Sequence, residues 1–238
     1  MDLKQLKEYI IKLAANLQNG DRKLLTARLE GLTSAFPFNE YEYMLMFLRD
    51  RKNITFEEYE KLRDNYIKTN RYLELYELAP RIFGQIWGEE HLRDFDSRFK
   101  KADKSLDPEY SGQYDIWIEG VRLEVKSCRG INTKKRGGLV SKALRYDSKE
   151  PFWMNFQQLK PDYCDGFVFI GVWVDQIIYW VMASKEVKEN KYFSHQHSGG
   201  IEYQIGITDK NIAKFDMYKT PSSKIAETIL IKMDRMFK

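Results

Sequence analysis

The chain has 238 residues, of which 43% are hydrophobic and 14% aromatic, and a formal net charge of +4. That length builds one large domain or one and a half ordinary ones, and the apolar share excludes a disordered chain. Its two cysteines, Cys128 and Cys164, exclude a disulfide framework and a cysteine-built structural zinc site, which leaves two reduced thiols.

The first hundred residues read as helix. Leu3, Leu6, Ile10, Leu13 and Leu17 recur at helical spacing, with Gly20 as the stop. Leu24, Leu25, Leu29 and Leu32 form a second stripe, and Tyr41 to Leu48 a third. Thr55 and Glu58 have capping-box spacing and open a helix through Tyr66. A helical segment from Tyr72 to Phe95 contains Pro80, which either kinks it or stands near the start of a second helix.

After residue 105 the period changes. Tyr114 to Ile118 and Val121 to Val125 alternate with period two, punctuated by Gly112, Gly120 and Gly130. Phe152 to Leu159 is predicted as a helix ended by Lys160-Pro161. Phe167 to Val174 and Ile177 to Met182 are near-continuous apolar runs, expected as two central strands joined by a tight turn at Asp175-Gln176. Residues 201 to 207 add a strand, and Ile225 to Phe237 a closing amphipathic helix. The expected architecture is α/β (α+β): a helical N-terminal region, 1–70, for dimerisation or for embracing DNA, and an α/β core, 71–238, packed as one unit with it. The start, Met1-Asp2-Leu3-Lys4, lacks the apolar run of a signal peptide, and the longest apolar stretch is too short to span a bilayer. A cytoplasmic protein is expected.

The alternating hairpin carries the chemistry. With Glu119-Gly120 as a two-residue turn, 118 faces 121 and 115 faces 124. Asp115 and Glu124 then project side by side, Lys126 shares their face, and Tyr114, Ile116, Ile118, Val121, Leu123 and Val125 make the other face apolar. Two carboxylates so close repel unless a positive charge lies between them. Mg²⁺ takes oxygen ligands and is held by one or two carboxylates plus phosphate oxygens, while a lysine beside it orients water and stabilises developing charge. An acid-x-Lys triplet alone is a weak signal: Asp2-x-Lys4, Asp50-x-Lys52 and Glu186-x-Lys188 read as solvated charges. The hairpin differs because like charges directly opposite are unfavourable in an ordinary sheet.

Gln113-Tyr-Asp115, followed by Glu124-Val-Lys126 at the end of the next strand, resembles the PD-(D/E)XK nuclease superfamily, particularly type II restriction endonucleases, over roughly residues 72–183. Tyr114 stands where the family has proline. The resemblance implies a restriction-endonuclease-like mixed central sheet flanked by helices. It implies Asp115, Glu124 and the Val125 backbone carbonyl as Mg²⁺ ligands, with Lys126 assisting the attacking water. Family members often add a helix glutamate, for which Glu77 is the choice, with Glu74 and Glu90 behind it. Asn155, Gln157 and Gln158 fall on the segment that flanks the site in the family, and Gln157 or Gln158 is placed to bond the lysine or a phosphate.

From Lys126 to Lys149 eight Lys or Arg face one acid, Asp147. This reads as a DNA-contacting loop, with Arg129, Lys134, Lys135 and Arg136 as phosphate contacts. His195 and His197 alternate without a third ligand nearby and read as a polar surface loop. The implied function is a type II restriction endonuclease making Mg²⁺-dependent double-strand cuts at a short specific DNA sequence, leaving 5′-phosphates and 3′-hydroxyls. A homodimer is implied, with a cognate DNA methyltransferase as genetic partner. The alternatives are a repair or recombination nuclease of the same superfamily with structure specificity, and a non-catalytic DNA-binding protein.

Overall fold

The computed structural model describes residues 3–30, 39–195 and 202–234. Leu32, His197 and Phe237, named above, lie outside them. The chain divides into two compact units, Met1–Glu77 and Leu78–Lys238.

The first unit is helical: α1 (Leu3–Ala15), α2 (Asn19–Glu30), α3 (Asn39–Asp50) and α4 (Phe56–Thr69), then a 3-10 turn at Leu73–Tyr76. Gly20 is not a stop; it sits in the first turn of α2, and α1 has already ended at Ala15. Ile10, Leu17, Leu45, Leu48 and Tyr66 are buried. The expected capping box is present: the Glu58 N–H donates to Thr55 Oγ1 at 3.1 Å, and the Thr55 N–H to Glu58 Oε2 at 2.8 Å.

The second unit is mixed α+β. A π-helical stretch, Ile82–Trp87, runs straight into α5 (Gly88–Arg93), so Pro80 stands near the start of a second helix. The main sheet uses β1 (Lys100–Lys101), β2 (Ile116–Ile118) and β3 (Val121–Arg129). After the short helix α6 (Leu139–Lys142) and β4 (Trp153–Leu159), it is completed by β5 (Gly166–Val172) and β6 (Ile177–Ala183). Its order is β1-β2-β3-β5-β6, with β3 and β5 parallel and the other pairs antiparallel. Helix α7 (Ser184–Lys188) leads to β7 (Phe193–His195) and β8 (Tyr203–Thr208), which form a second antiparallel sheet in the order β4-β8-β7. Helix α8 (Ile225–Asp234) ends the described chain. Phe156, Phe167, Phe169, Trp180 and Ile205 belong to one buried cluster of this unit. Among the described residues no helix is long and apolar enough to cross a membrane.

The predicted helix at 152–159 is strand β4. Phe152, Phe156 and Leu159 are spaced four and three apart, which imitates a helical stripe. The buried residues are instead Phe152, Met154 and Phe156 at period two, and a bulge between Phe156 and Leu159 shifts the phase. Pairing with β8 settles the choice that periodicity leaves open. Runs 167–174 and 177–182 do form an antiparallel pair, but β6 lies at the edge of the sheet.

Replacing Thr55 with alanine removes one side of the capping box and is expected to destabilise the first unit by about 1 kcal/mol. Urea unfolding followed by helical circular dichroism measures it, and an unchanged midpoint would mean the cap carries no load.

Candidate active site

The hairpin has the expected register, with Ile118 opposite Val121 and Ile116 opposite Leu123. Glu119 and Gly120 turn it with φ of 45° and 91°, the left-handed pair that a two-residue turn requires. Asp115 stands one residue before β2. Its N–H donates to the Leu123 carbonyl at 2.9 Å, and its Oδ2 accepts the Val125 N–H at 2.8 Å. The carboxylate thus takes the place of a backbone acceptor and ends the ladder. In a strand the N–H and C=O of one residue point to the same side, so the Val125 carbonyl is turned toward Asp115 as well.

A residue not singled out in the sequence holds this arrangement. The buried Asp107 accepts the Tyr114 hydroxyl at 2.9 Å and pairs with Arg122 Nε at 3.1 Å. The residue before Asp115 and a residue of β3 are thereby tied to one carboxylate. Tyr114, where the family has proline, is itself fully buried.

Glu124 and Lys126 share a face of β3, with Lys126 Nζ 2.5 Å from Glu124 Oε1. That face is not open: Phe167 and Phe169 stand opposite them on β5, and Glu124 is only 8% exposed. Burial pushes the Glu124 carboxyl up to about 7, helped by Asp115 and opposed by Lys126. Asp115 is also raised by burial, against the pull of Lys126 and the Val125 N–H. For Lys126, burial alone would lower the pKa, but Glu124 and Asp115 outweigh it and the net shift is upward.

Among the helix glutamates, it is the half-buried Glu89 that feels the charges of Asp115 and Glu124. Burial raises it to about 7, with Asp115 and then Glu124 adding to the shift and Arg93 and Lys101 opposing it. Glu77, the residue chosen from sequence, closes the first unit, where its N–H donates to the Glu74 carbonyl. Glu90 is exposed. Gly88 packs directly on Ser127 of β3, so closely that a Cβ would collide with Ser127 Oγ. The π-helical turn delivers it there, its N–H reaching back five residues to Phe83. A glycine inside a predicted helix was the available signal, since it marks a place where a neighbouring element closes on the helix backbone.

The other candidates separate. Arg129 leaves the DNA-contacting set: it is buried, donates to the Leu78 carbonyl at 2.6 Å and lies 3.9 Å over the Phe83 ring. An arginine at the end of a covered strand does more for the core than for solvent. Lys134, Lys135 and Arg136 are exposed on the loop after β3. Asn155, Gln157 and Gln158 lie on β4 rather than on a helix, and Cys128 Sγ donates to the Asn155 carbonyl at 3.2 Å. His195 is in β7 and packs on Tyr203, with ring centroids 4.5 Å apart.

Among the described residues, no three His, Cys, Asp or Glu side chains are gathered as a metal ligand set. Asp115, Glu124 and the Val125 carbonyl offer hard oxygen donors. These suit Mg²⁺, which needs only one or two carboxylates, and do not suit tetrahedral zinc. No protein-family model matches the chain, and no curated protein matches it either.

Two outcomes follow from this geometry. Glu89 and Glu124 bind their protons more tightly in the folded chain than at the ordinary value of 4.5. Their contribution to stability is therefore fully present below about pH 4.5 and lost as pH rises through about 7. Without divalent cations, the urea midpoint should fall between pH 5 and pH 8, and Glu89→Gln should flatten that fall. Equal slopes in both proteins would show that Glu89 does not share the carboxylate cluster. Gly88→Ala should cost about 1–3 kcal/mol by overpacking against Ser127, read as a lowered Tm.

Proposed function

We propose that the protein is a Mg²⁺-dependent endodeoxyribonuclease of the type II restriction class, acting on double-stranded DNA as a homodimer with a restriction-endonuclease-like core. The observation that carries the reading is the pair of buried carboxylates, Asp115, which accepts the Val125 N–H, and Glu124, whose proton Asp115 helps to hold, with Lys126 against Glu124. An arrangement that costs stability in the isolated chain is accounted for by a ligand that relieves it. The parallel β3–β5 pair at the centre of a mixed sheet is compatible with the fold.

Asp115, Glu124 and the Val125 carbonyl would hold the metal ion, and Glu89 would add negative charge near them without joining the ligand set. When bound, Mg²⁺ supplies positive charge to a phosphate oxygen and acidifies a water molecule. Lys126, with its pKa raised, stays an ammonium at neutral pH and donates hydrogen bonds instead of taking a proton. It orients the attacking water and holds the charge that grows on the non-bridging phosphate oxygen. The water oxygen bonds to phosphorus in line as the P–O3′ bond breaks; the attacking water releases a proton to solvent and the leaving O3′ takes one from solvent, which leaves a 5′-phosphate and a 3′-hydroxyl. Asp107 acts at one remove by keeping Asp115 against β3.

The test is digestion of a plasmid of known sequence with Mg²⁺, followed by mapping of the ends. Discrete fragments with 5′-phosphates are expected. Asp115→Ala and Lys126→Ala should each lower the rate by about 100-fold or more while leaving the circular dichroism spectrum unchanged. Cutting that survives both substitutions would overturn the assignment.

A further inference from the structure

We propose that the outward face of β4, continued onto β8, reads base edges in a DNA duplex lying along the active site, with Gln157 and Trp153 as contact residues. This rests on the nuclease reading and adds where sequence is recognised.

The placement comes from two contacts along one strand. In the first, the Asn155 carbonyl accepts from Cys128, which is two residues beyond Lys126 on the same face of β3. Next along the strand, Phe156 packs on Phe169, the β5 partner of Lys126, with ring centroids 5.0 Å apart. Gln157 follows Phe156 directly and so stands near the level of Lys126. Met154, Phe156 and Leu159 turn into the core, whereas Trp153 is 53% exposed and Gln157 is exposed on the opposite side of the strand.

The strand is shaped for display at this level. Gln158 has φ of 58°, a left-handed conformation that non-glycine residues adopt at a cost. It forms the bulge between Phe156 and Leu159, so two successive amides are exposed where a regular strand would bury one of them. Two neighbouring amides are tied in a chain, with Asn155 Oδ1 left buried without a partner. Asn155 Nδ2 donates to Gln204 Oε1 at 3.0 Å, and Gln204 Nε2 to Ser194 Oγ at 3.5 Å. Trp153 lies across Gly206, where a Cβ would come within 2.9 Å of its indole nitrogen, so an aromatic surface stands in the same row.

Charge selects the occupant. The loop bearing Lys134, Lys135 and Arg136 is fastened to the start of β4: Asn132 bridges to Phe152, and the Thr133 N–H donates to the Pro151 carbonyl at 3.1 Å. The N–H groups of Lys134 and Lys135 fold back onto Asn132 Oδ1, which leaves the three cationic side chains exposed beside the row. Cations for a phosphate backbone next to amides that pair a donor with an acceptor match duplex DNA, whose base edges present the same pairing in the major groove.

The test uses the full chain, Mg²⁺ and a pool of duplexes in which every short sequence occurs, with cleaved ends sequenced. Gln157→Ala should raise cleavage of sites differing at one base position by about tenfold or more relative to the preferred site. Lys135→Ala should slow all sites alike and lower the salt dependence. If Gln157→Ala and Trp153→Ala keep the wild-type ranking of sites, or if the wild type cuts without preference, the inference is overturned while the nuclease reading stands. A wild-type chain that cuts no duplex overturns both.

Discussion

Asp115, Glu124 and Glu89 arrive from the approach to a strand, a strand interior and a helix; Asp115 makes Glu124 harder to ionise, and Asp115 and Glu124 do the same to Glu89. Burial is the larger cause for all three, and their mutual repulsion adds to the shifts of Glu124 and Glu89. Lys126 opposes Asp115 and Glu124 from within, while Arg93 and Lys101 oppose Glu89. Much of the second unit serves to keep this cluster from relaxing. Asp107 ties Tyr114 and Arg122 together, the Val125 N–H fixes Asp115, and Gly88 lets the helix close on β3. The stability that offsets the strain comes from elsewhere in the unit, from the aromatic core that contains Phe156, Phe167, Phe169 and Trp180.

The same strand serves both ends. Beyond Lys126, β3 gives Cys128 to the edge of the second sheet and Arg129 to the carbonyl of Leu78. Only after these two inward contacts does the chain leave the sheet as the basic loop. The cations that reach solvent are thus set off from the site by a rigid segment, and the loop is fastened at Asn132 and Thr133 rather than loose. Position, not the total of +4, gives the charge its use.

The hairpin, its turn and its register were legible because alternation, a Glu-Gly turn and an apolar underside all point to one pairing. The capping box was legible for the same local reason. What escaped reading was non-local. Residues 152–159 carry a pattern compatible with both periods until a partner strand is present. Glu89 and Glu77 are equivalent as helix glutamates, and only the packing of Gly88 on Ser127 separates them. Arg129 counted as one cation among eight until the fold gave it a carbonyl and a ring. Asp107 had no motif, since its role is defined by two partners 7 and 15 residues away.

The third carboxylate alters the charge balance of the site. Asp115 and Glu124 against Lys126 leave one negative charge when fully ionised, a deficit that a monovalent cation or a second lysine would meet. Glu89 adds a further negative charge, partly offset by Arg93 and Lys101, and on the proposed reading a divalent cation meets the remainder. On that reading, with burial raising Glu89 and Glu124 to about 7, protons would compete with a divalent cation across the neutral range, and metal affinity would rise with pH. On the proposed reading, the helix is therefore part of the metal site through charge, and the packing of Gly88 on Ser127 is what connects the fold of the helix to the affinity of the site.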